Sequence, residues 1–241
     1  MTPEQKHVLY TDDDGELSDL YEVQLLDDAL RQARVEPLRA MLDDDSAVVR
    51  FDSLQILVAW GDPTALERVL ELLRSGSDEL TGQSTHRMHG ADTTLDQLGH
   101  ALAMAISISE SDDARLVEIA GRMLVDARTG FVENGLERFI SALRDDALAP
   151  KVRSVIVEKR ESGDLRGAGN LLPALASLDV EAAWELIRVF TDDGYSKDFA
   201  MGVARALERI DSPAARRELE VLQDRDDLPG ASHVARQALG T

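Results

Sequence analysis

Apolar residues recur at offsets of three, four and seven along almost the whole chain, the spacing that lines one face of an α-helix. Ala47, Phe51, Leu54 and Val58 form one stripe, and Leu66, Val69, Leu70 and Leu73 the next. Further stripes run through Leu95, Leu98, Leu102 and Ala105, through Leu116, Ile119, Ala120 and Met123, and through Leu136, Phe139, Ile140 and Leu143. The pattern continues with Leu148, Val152, Val155 and Ile156, then Leu171, Leu175 and Leu178, then Ala183, Ile187 and Phe190. It closes with Phe199, Val203, Ala206 and Ile210, followed by Ala215, Leu219 and Leu222. No segment alternates polar and apolar residues between hairpin turns, so an all-α fold is expected. The breaks are short and rich in Asp, Gly, Ser or Pro, which suits antiparallel neighbours. Asp62-Pro63 and Ser212-Pro213 each place a capping residue before Pro at the first helical position.

A helical hairpin cannot bury both of its faces alone, so a run of similar hairpins must stack on one another. Pro37 to Leu73 shows one unit of such a run. Leu38, Met41 and Leu42 lie on a first helix, Asp44 and Asp45 at the turn, Val49-Arg50 at the start of a second helix, and Gly61-Asp62-Pro63 leads into the next unit. This segment resembles the HEAT repeats of the phycobilisome-lyase-like type. The resemblance implies that Asp45 and Arg50 tie neighbouring repeats together through hydrogen bonds. A second echo spans Ala204 to Leu222, where Ala206, Leu207, Ile210, Asp211 and Pro213 repeat the helix, turn and Pro pattern. From Asp62 to Asp211 is about four repeats of ~37 residues, close to the period of such repeats. The expectation is therefore a right-handed α-solenoid of about five to six HEAT-like helical hairpins in a single domain over 1–241. Residues 1–19 read as an irregular acidic lead, and 75–94 as a long polar loop insertion. Gly163, Gly167 and Gly169 read as a glycine-rich turn between helices, not as a phosphate cradle, because no strand precedes them.

Charge restricts the partners. The 241 residues carry 46 Asp and Glu against 26 Lys and Arg, a formal net charge of −20. A field of that sign repels phosphate backbones and attracts basic proteins. The resemblance admits DNA glycosylases that hold a duplex in a basic groove, with Trp60 and Trp184 as aromatic wall candidates. No Lys/Arg cluster here is fit to neutralise phosphates, and both Trp residues read as inter-helix packing. With no cysteine, disulfides, thiolate metal sites and cysteine nucleophiles are excluded. The first ten residues hold no apolar run of a secretory signal, and no window approaches the ~20 apolar residues of a membrane span. A cytoplasmic protein is expected.

Chemistry-bearing motifs are sparse. There is no G-x-S-x-G elbow, no H-E-x-x-H and no phosphate loop, so no catalytic residue and no cofactor is assigned. Asp12, Asp14 and Gly15 fall like positions three, five and six of a calcium loop, but Tyr10 and Tyr21 occupy positions one and twelve, where carboxylates are required. His86 and His89, with Asp92, Asp96 and His100 nearby, could offer imidazole and oxygen ligands. An exposed polar loop packed on Leu95 and Leu98 is the more economical reading, and no metal is assigned. What remains is a non-enzymatic protein-binding surface for a basic partner, with no nucleic acid and no membrane. Residues 11–30 hold eight Asp and Glu and no Lys or Arg. The partner-binding candidates are Asp13, Asp14, Asp19 and Tyr21 in the acidic lead, His86, Arg87 and His89 in the long loop, and Asp96 and His100 just after it. An acidic inhibitor or immunity-type protein, occluding a basic partner such as a toxin, is the expected role. A general assembly scaffold and a HEAT-like lyase or chaperone are the alternatives.

Overall fold

The structure is a computed structural model, and it describes residues 1–76, 78–84, 90–109, 114–192 and 194–241. The described residues are all-helical, with no β-strand among them. They form α1 (Pro3–Tyr10), α2 (Leu20–Gln24), α3 (Asp28–Met41), α4 (Ala47–Ala59), α5 (Pro63–Ser75), α6 (Thr94–Ser109) and α7 (Ala114–Asp126). After these come α8 (Gly135–Leu143), α9 (Ala149–Glu161), α10 (Leu165–Leu178), α11 (Val180–Thr191), α12 (Ala200–Glu208), α13 (Pro213–Gln223) and α14 (Pro229–Leu239). The chain divides into two compact units, Met1–Arg122 and Met123–Thr241, with the boundary inside α7.

In the first unit α4 is the hub. It is buried on nearly every side, as befits a helix surrounded by protein, with Val49, Phe51, Leu54 and Ile56 to Ala59 all buried and the polar Asp52, Ser53 and Gln55 buried among them. Helices α1, α2, α3, α5 and α6 pack against it. Residues 1–19 are not the irregular lead expected from the sequence. Pro3–Tyr10 is a helix, started by a capping box in which Thr2 Oγ1 accepts from the Gln5 N–H at 3.2 Å and Gln5 Oε1 accepts from the Thr2 N–H at 2.7 Å. Its buried Leu9 supplies the apolar anchor, too short a pattern to stand out as a stripe.

The repeat residues take mostly local roles. Asp62 caps α5 by accepting from the Thr64 and Ala65 N–H groups at 3.0 Å, and Pro63 holds the first helical position. The guanidinium of Arg39 on α3 clasps Asp62, with Nε at 3.1 Å and Nη2 at 2.6 Å from Oδ2. That bond joins the first helix of one hairpin to the start of the next. Arg50 donates to the Asp44 and Asp45 carbonyls at 2.6 and 3.1 Å, within its own turn, and its Nε lies 3.7 Å from Glu79. The turn carboxylate that accepts bonds is Asp44, from the Ser46 N–H at 2.8 Å and from Gln5 at 2.6 Å. In the second unit Ser212 caps α13 ahead of Pro213, while Asp211 is exposed.

The second unit is built around α10, which packs against α8, α9, α11 and α12; α12 in turn packs on α13 and α14. Alternate helices α8, α10, α12 and α14 thus follow one another in contact. The α10–α12 crossing is close enough to need glycine on both sides. A Cβ on Gly169 would lie 3.0 Å from the Phe199 Cα, and one on Gly202 would lie 3.0 Å from the Gly169 Cα. Gly167 and Gly169 therefore sit inside α10 rather than in the turn read from the sequence; only Gly163, at φ +86°, makes that turn. Polar side chains brace the stack. Arg209 donates to the Pro173 carbonyl at 2.8 Å and to Ser177 at 2.9 Å on α10, and lies 2.7 Å from the buried Glu137 of α8. Lys159, 1% exposed, donates to the Gly130 carbonyl at 2.8 Å and to Asp164 at 2.7 Å.

Candidate functional site

The acidic segment after α1 folds back on itself. An isolated antiparallel bridge joins Thr11 to Leu17, and the turn closes through Gly15 at φ +80°. Asp12 Oδ1 accepts from the Asp14 and Glu16 N–H groups at 3.1 and 2.9 Å, an Asx turn. The carboxylate that mimics a calcium ligand in the sequence is thereby engaged by backbone. Arg34, buried on α3, holds the segment from below by donating to the Thr11 carbonyl at 2.7 Å, Thr11 Oγ1 at 3.1 Å and the Val8 carbonyl at 3.2 Å. Burial pulls the Arg34 pKa down, with the charge of Asp12 acting against that pull. Tyr10 donates its phenolic hydrogen to the buried Asp52 of α4. Burial pushes the Asp52 carboxyl above its usual range, and the bond from Tyr10 works against that push. Burial, then the Asp52 bond and charge, raise the Tyr10 phenol and keep it protonated.

These anchors sort the carboxylates into two groups. Asp19 caps α2, accepting from the Tyr21 and Glu22 N–H groups at 3.0 and 3.1 Å, and Asp27 caps α3, accepting from the Leu30 N–H at 2.9 Å. Asp13, Asp14, Glu16 and Glu22 are exposed and make no ion pair among the described residues. In the same segment Leu17, Tyr21 and Leu25 are 65%, 58% and 49% exposed. Tyr21 on α2 and Leu25, the C-cap residue four positions on, share a helix face. The structure thus places Asp13, Asp14 and Tyr21 on an open surface and gives Asp19 a capping role. Glu16, Leu17, Glu22 and Leu25 join that surface and were missed in the sequence. The four-residue spacing of Tyr21 and Leu25, in a stretch whose charged residues are all acids, was the available signal.

Asp96 is buried on α6, with Oδ2 3.7 Å from His100 Nε2 one turn on. His86, Arg87 and His89 lie outside the described residues. Asp92 closes the described part of the long loop, accepting from the Thr94 N–H at 2.9 Å, Thr94 Oγ1 at 2.6 Å and the Gly82 N–H at 2.7 Å. Burial works to raise its carboxyl, but these bonds outweigh it and hold the group below its usual range. Among the described residues no group of three or more His, Asp or Glu side chains is arranged to hold a metal. Trp60 donates from Nε1 to the Gln24 carbonyl at 3.1 Å, fastening α2 to the end of α4.

Comparison with family models, with curated proteins and with solved structures finds no match to this chain. No helix among the described residues is long and apolar enough to cross a membrane.

Proposed function

We propose that this chain is a non-enzymatic, protein-binding α-solenoid of HEAT-like hairpins, and that its acidic N-terminal surface captures a basic protein. The reading is that of an inhibitor or immunity-type protein covering the working face of a basic partner such as a toxin. The observation that carries it is the exposure of Leu17, Tyr21 and Leu25 among Asp13, Asp14, Glu16 and Glu22, none of which spends its charge inside the protein. An aromatic anchor with aliphatic neighbours supplies area that resists dissociation, and a rim of one sign selects a partner of the other. Arg34 and the Tyr10–Asp52 bond hold this surface on the α3–α4 base, so little ordering is required on binding. The serial contact of α8, α10, α12 and α14 supports the solenoid part of the reading, since tandem hairpins stack their alternate helices in that way.

The test uses the partner recovered from the source organism with the wild-type protein as bait. Its association rate is measured by stopped flow from 50 to 500 mM salt, with wild type and with Asp13→Asn/Asp14→Asn/Glu22→Gln. Wild type should slow by roughly 10-fold or more across that range and the triple variant far less. Tyr21→Ala should raise the dissociation rate by on the order of 10-fold while leaving the melting temperature unchanged. Equal salt dependence for wild type and the triple variant would remove the acidic surface from the interface.

A further inference from the structure

The second unit holds a groove of about 360 Å³, lined by both polar and apolar residues, on a part of the molecule with no role in the surface described above. Its walls are the first turns of α10, α12 and α14, with Arg166, Asn170, Lys197 and Asp198 among the lining side chains. Helices α12 and α14 both begin without a side-chain cap. The N–H groups of Met201 and Gly202 on α12, and of Gly230 and Ala231 on α14, have no acceptor among the described residues, and all four residues line the groove. Orphan donors of this kind, together with the positive end of the helix dipole, favour an anionic oxygen.

The side chains narrow the ligand. Asn170 is only 8% exposed, and its Nδ2 donates to the Val132 carbonyl at 2.9 Å. Its Oδ1 accepts from nothing among the described residues, which leaves a nearly buried acceptor on the wall of a groove otherwise rich in donors. Lys197 and Asp198 are in no ion pair among the described residues, although the charge of Lys197 is felt at Asp227. Arg166 lies 3.3 Å from Glu133, and Asp227 is held in a two-point bond by Arg225, at 2.7 Å on each oxygen, so both are already balanced. The open groups are therefore one cation, one carboxylate, one amide oxygen and a set of backbone N–H donors. A phosphate dianion would meet Asp198 and Asp227 with no unpaired cation beyond Lys197. A carboxylate with an N–H donor beside it satisfies both kinds of open group at once: its oxygens face the helix ends and Lys197, and its N–H faces Asn170 Oδ1 and Asp198.

We propose that this groove binds an α-carboxylate flanked by an N–H donor, the chemistry shared by a peptide C-terminus and a free amino acid. The volume lies at the lower end of small-ligand sites and exceeds what a single inorganic ion requires. Capture of a C-terminal carboxylate by backbone N–H groups is an established mode of peptide recognition.

The experiment follows the backbone amide resonances of the full-length ¹⁵N-labelled chain, in which the Gly202 and Gly230 signals report directly on the groove. Three probes are titrated: N-acetyl-alanyl-alanine with a free carboxylate, the same dipeptide as its C-terminal amide, and L-alanine. The free-acid dipeptide should move both glycine signals saturably, and the amide should bind at least about 10-fold more weakly. Saturation by L-alanine but not by the dipeptide would assign the site to free amino acids. Lys197→Ala, at an exposed position, should retain the wild-type melting temperature and bind the free acid on the order of 10-fold more weakly. Equal response to acid and amide, no saturable shift with any probe up to ~10 mM, or undiminished binding by Lys197→Ala would each overturn the proposal.

Discussion

The α10–α12 crossing makes the sharpest demand on a single residue. The Gly169 carbonyl has lost its ordinary helical donor, because the residue four positions on is Pro173, which has no N–H. Helix α12 approaches that carbonyl with Gly202, whose missing side chain leaves room for a backbone Cα–H contact. A methyl carbon on Gly202 would sit 3.0 Å from the Gly169 Cα and nearer still to its carbonyl oxygen. An ordinary carbon–oxygen contact is about 3.3–3.6 Å, so the two helices must part by roughly 1 Å. No rotamer can relieve a clash between a Cβ and a backbone. Parting the helices strips a quarter to a half of the dispersion energy from the pairs they share, and because both sides of the clash are backbone the cost is about 3 kcal/mol or somewhat more, at the upper end of overpacking. Alanine returns about 1 kcal/mol of helix propensity, which leaves Gly202→Ala destabilised by roughly 2 kcal/mol or somewhat more. In calorimetry that is a melting temperature lower by ~5–15 °C. Gly230→Ala is the control, since its Cβ would meet only the flexible Met201 sulfur at 3.5 Å; it should be neutral or slightly stabilising. If Gly202→Ala melts within a degree or two of Gly230→Ala, the close crossing is wrong, and with it the stacking of the second unit's alternate helices.

Two further perturbations probe buried polar pairs. Tyr10→Phe removes the donor to Asp52 and leaves a buried carboxylate without its partner, costing roughly 1.5–3 kcal/mol at pH 7 by chemical denaturation. Because the folded-state Asp52 pKa is raised, the native form holds its proton longer than the unfolded chain. Stability is therefore lost as pH rises from about 4 through the folded-state value. Asp52→Asn keeps an acceptor for Tyr10 and should be at least as stable as wild type at pH 7, with the difference vanishing below about pH 4; a difference independent of pH would refute the buried-charge account. At the Lys159–Asp164 pair the two partners are unequally buried, at 1% and 42% side-chain exposure. Asp164→Ala strands an ammonium in the interior with the Gly130 carbonyl as its remaining partner and should cost about 3–5 kcal/mol. Lys159→Met leaves Asp164 bonded to the Gly167 N–H at 2.8 Å and open to water, and should cost about 1–3 kcal/mol. The reverse order in denaturation midpoints would refute the assignment.

The helices were legible because burial on one face is written directly into spacing. Phe51, Leu54, Leu98, Leu102, Val152 and Ile156, all taken from stripes in the sequence, are buried. Gly169 was not legible, because its meaning depends on a partner helix about thirty residues away, while Gly167 is pressed only by the Asp164 side chain that caps its own helix. Glycine in isolation signals a turn, and only the approach of Phe199 and Gly202 shows that here it signals a crossing. Helix α1 escaped for a different reason. Thr2, Pro3 and Gln5 spell a capping box, but a single buried Leu9 gives no period to read.

At the acidic surface composition and role part company. Asp12, Asp13, Asp14 and Asp19 are the same residue type within eight positions, and the sequence offers no ground for treating them differently. The backbone does. Asp12 is consumed by two N–H groups of its own turn and Asp19 by the first turn of α2, while Asp13 and Asp14 keep their whole charge for solvent or for a partner. Counting eight acids over residues 11–30 therefore overstates the field a partner meets, because Asp12, Asp19 and Asp27 have neutralising N–H dipoles against them. It also understates the contact, because Leu17, Tyr21 and Leu25 offer apolar area that a charge count cannot register. Binding that followed charge alone would vanish at high salt. Retention of slow dissociation after salt has abolished fast association is what a surface of this mixed character entails, and loss of both together would reduce it to a solvated acidic cap.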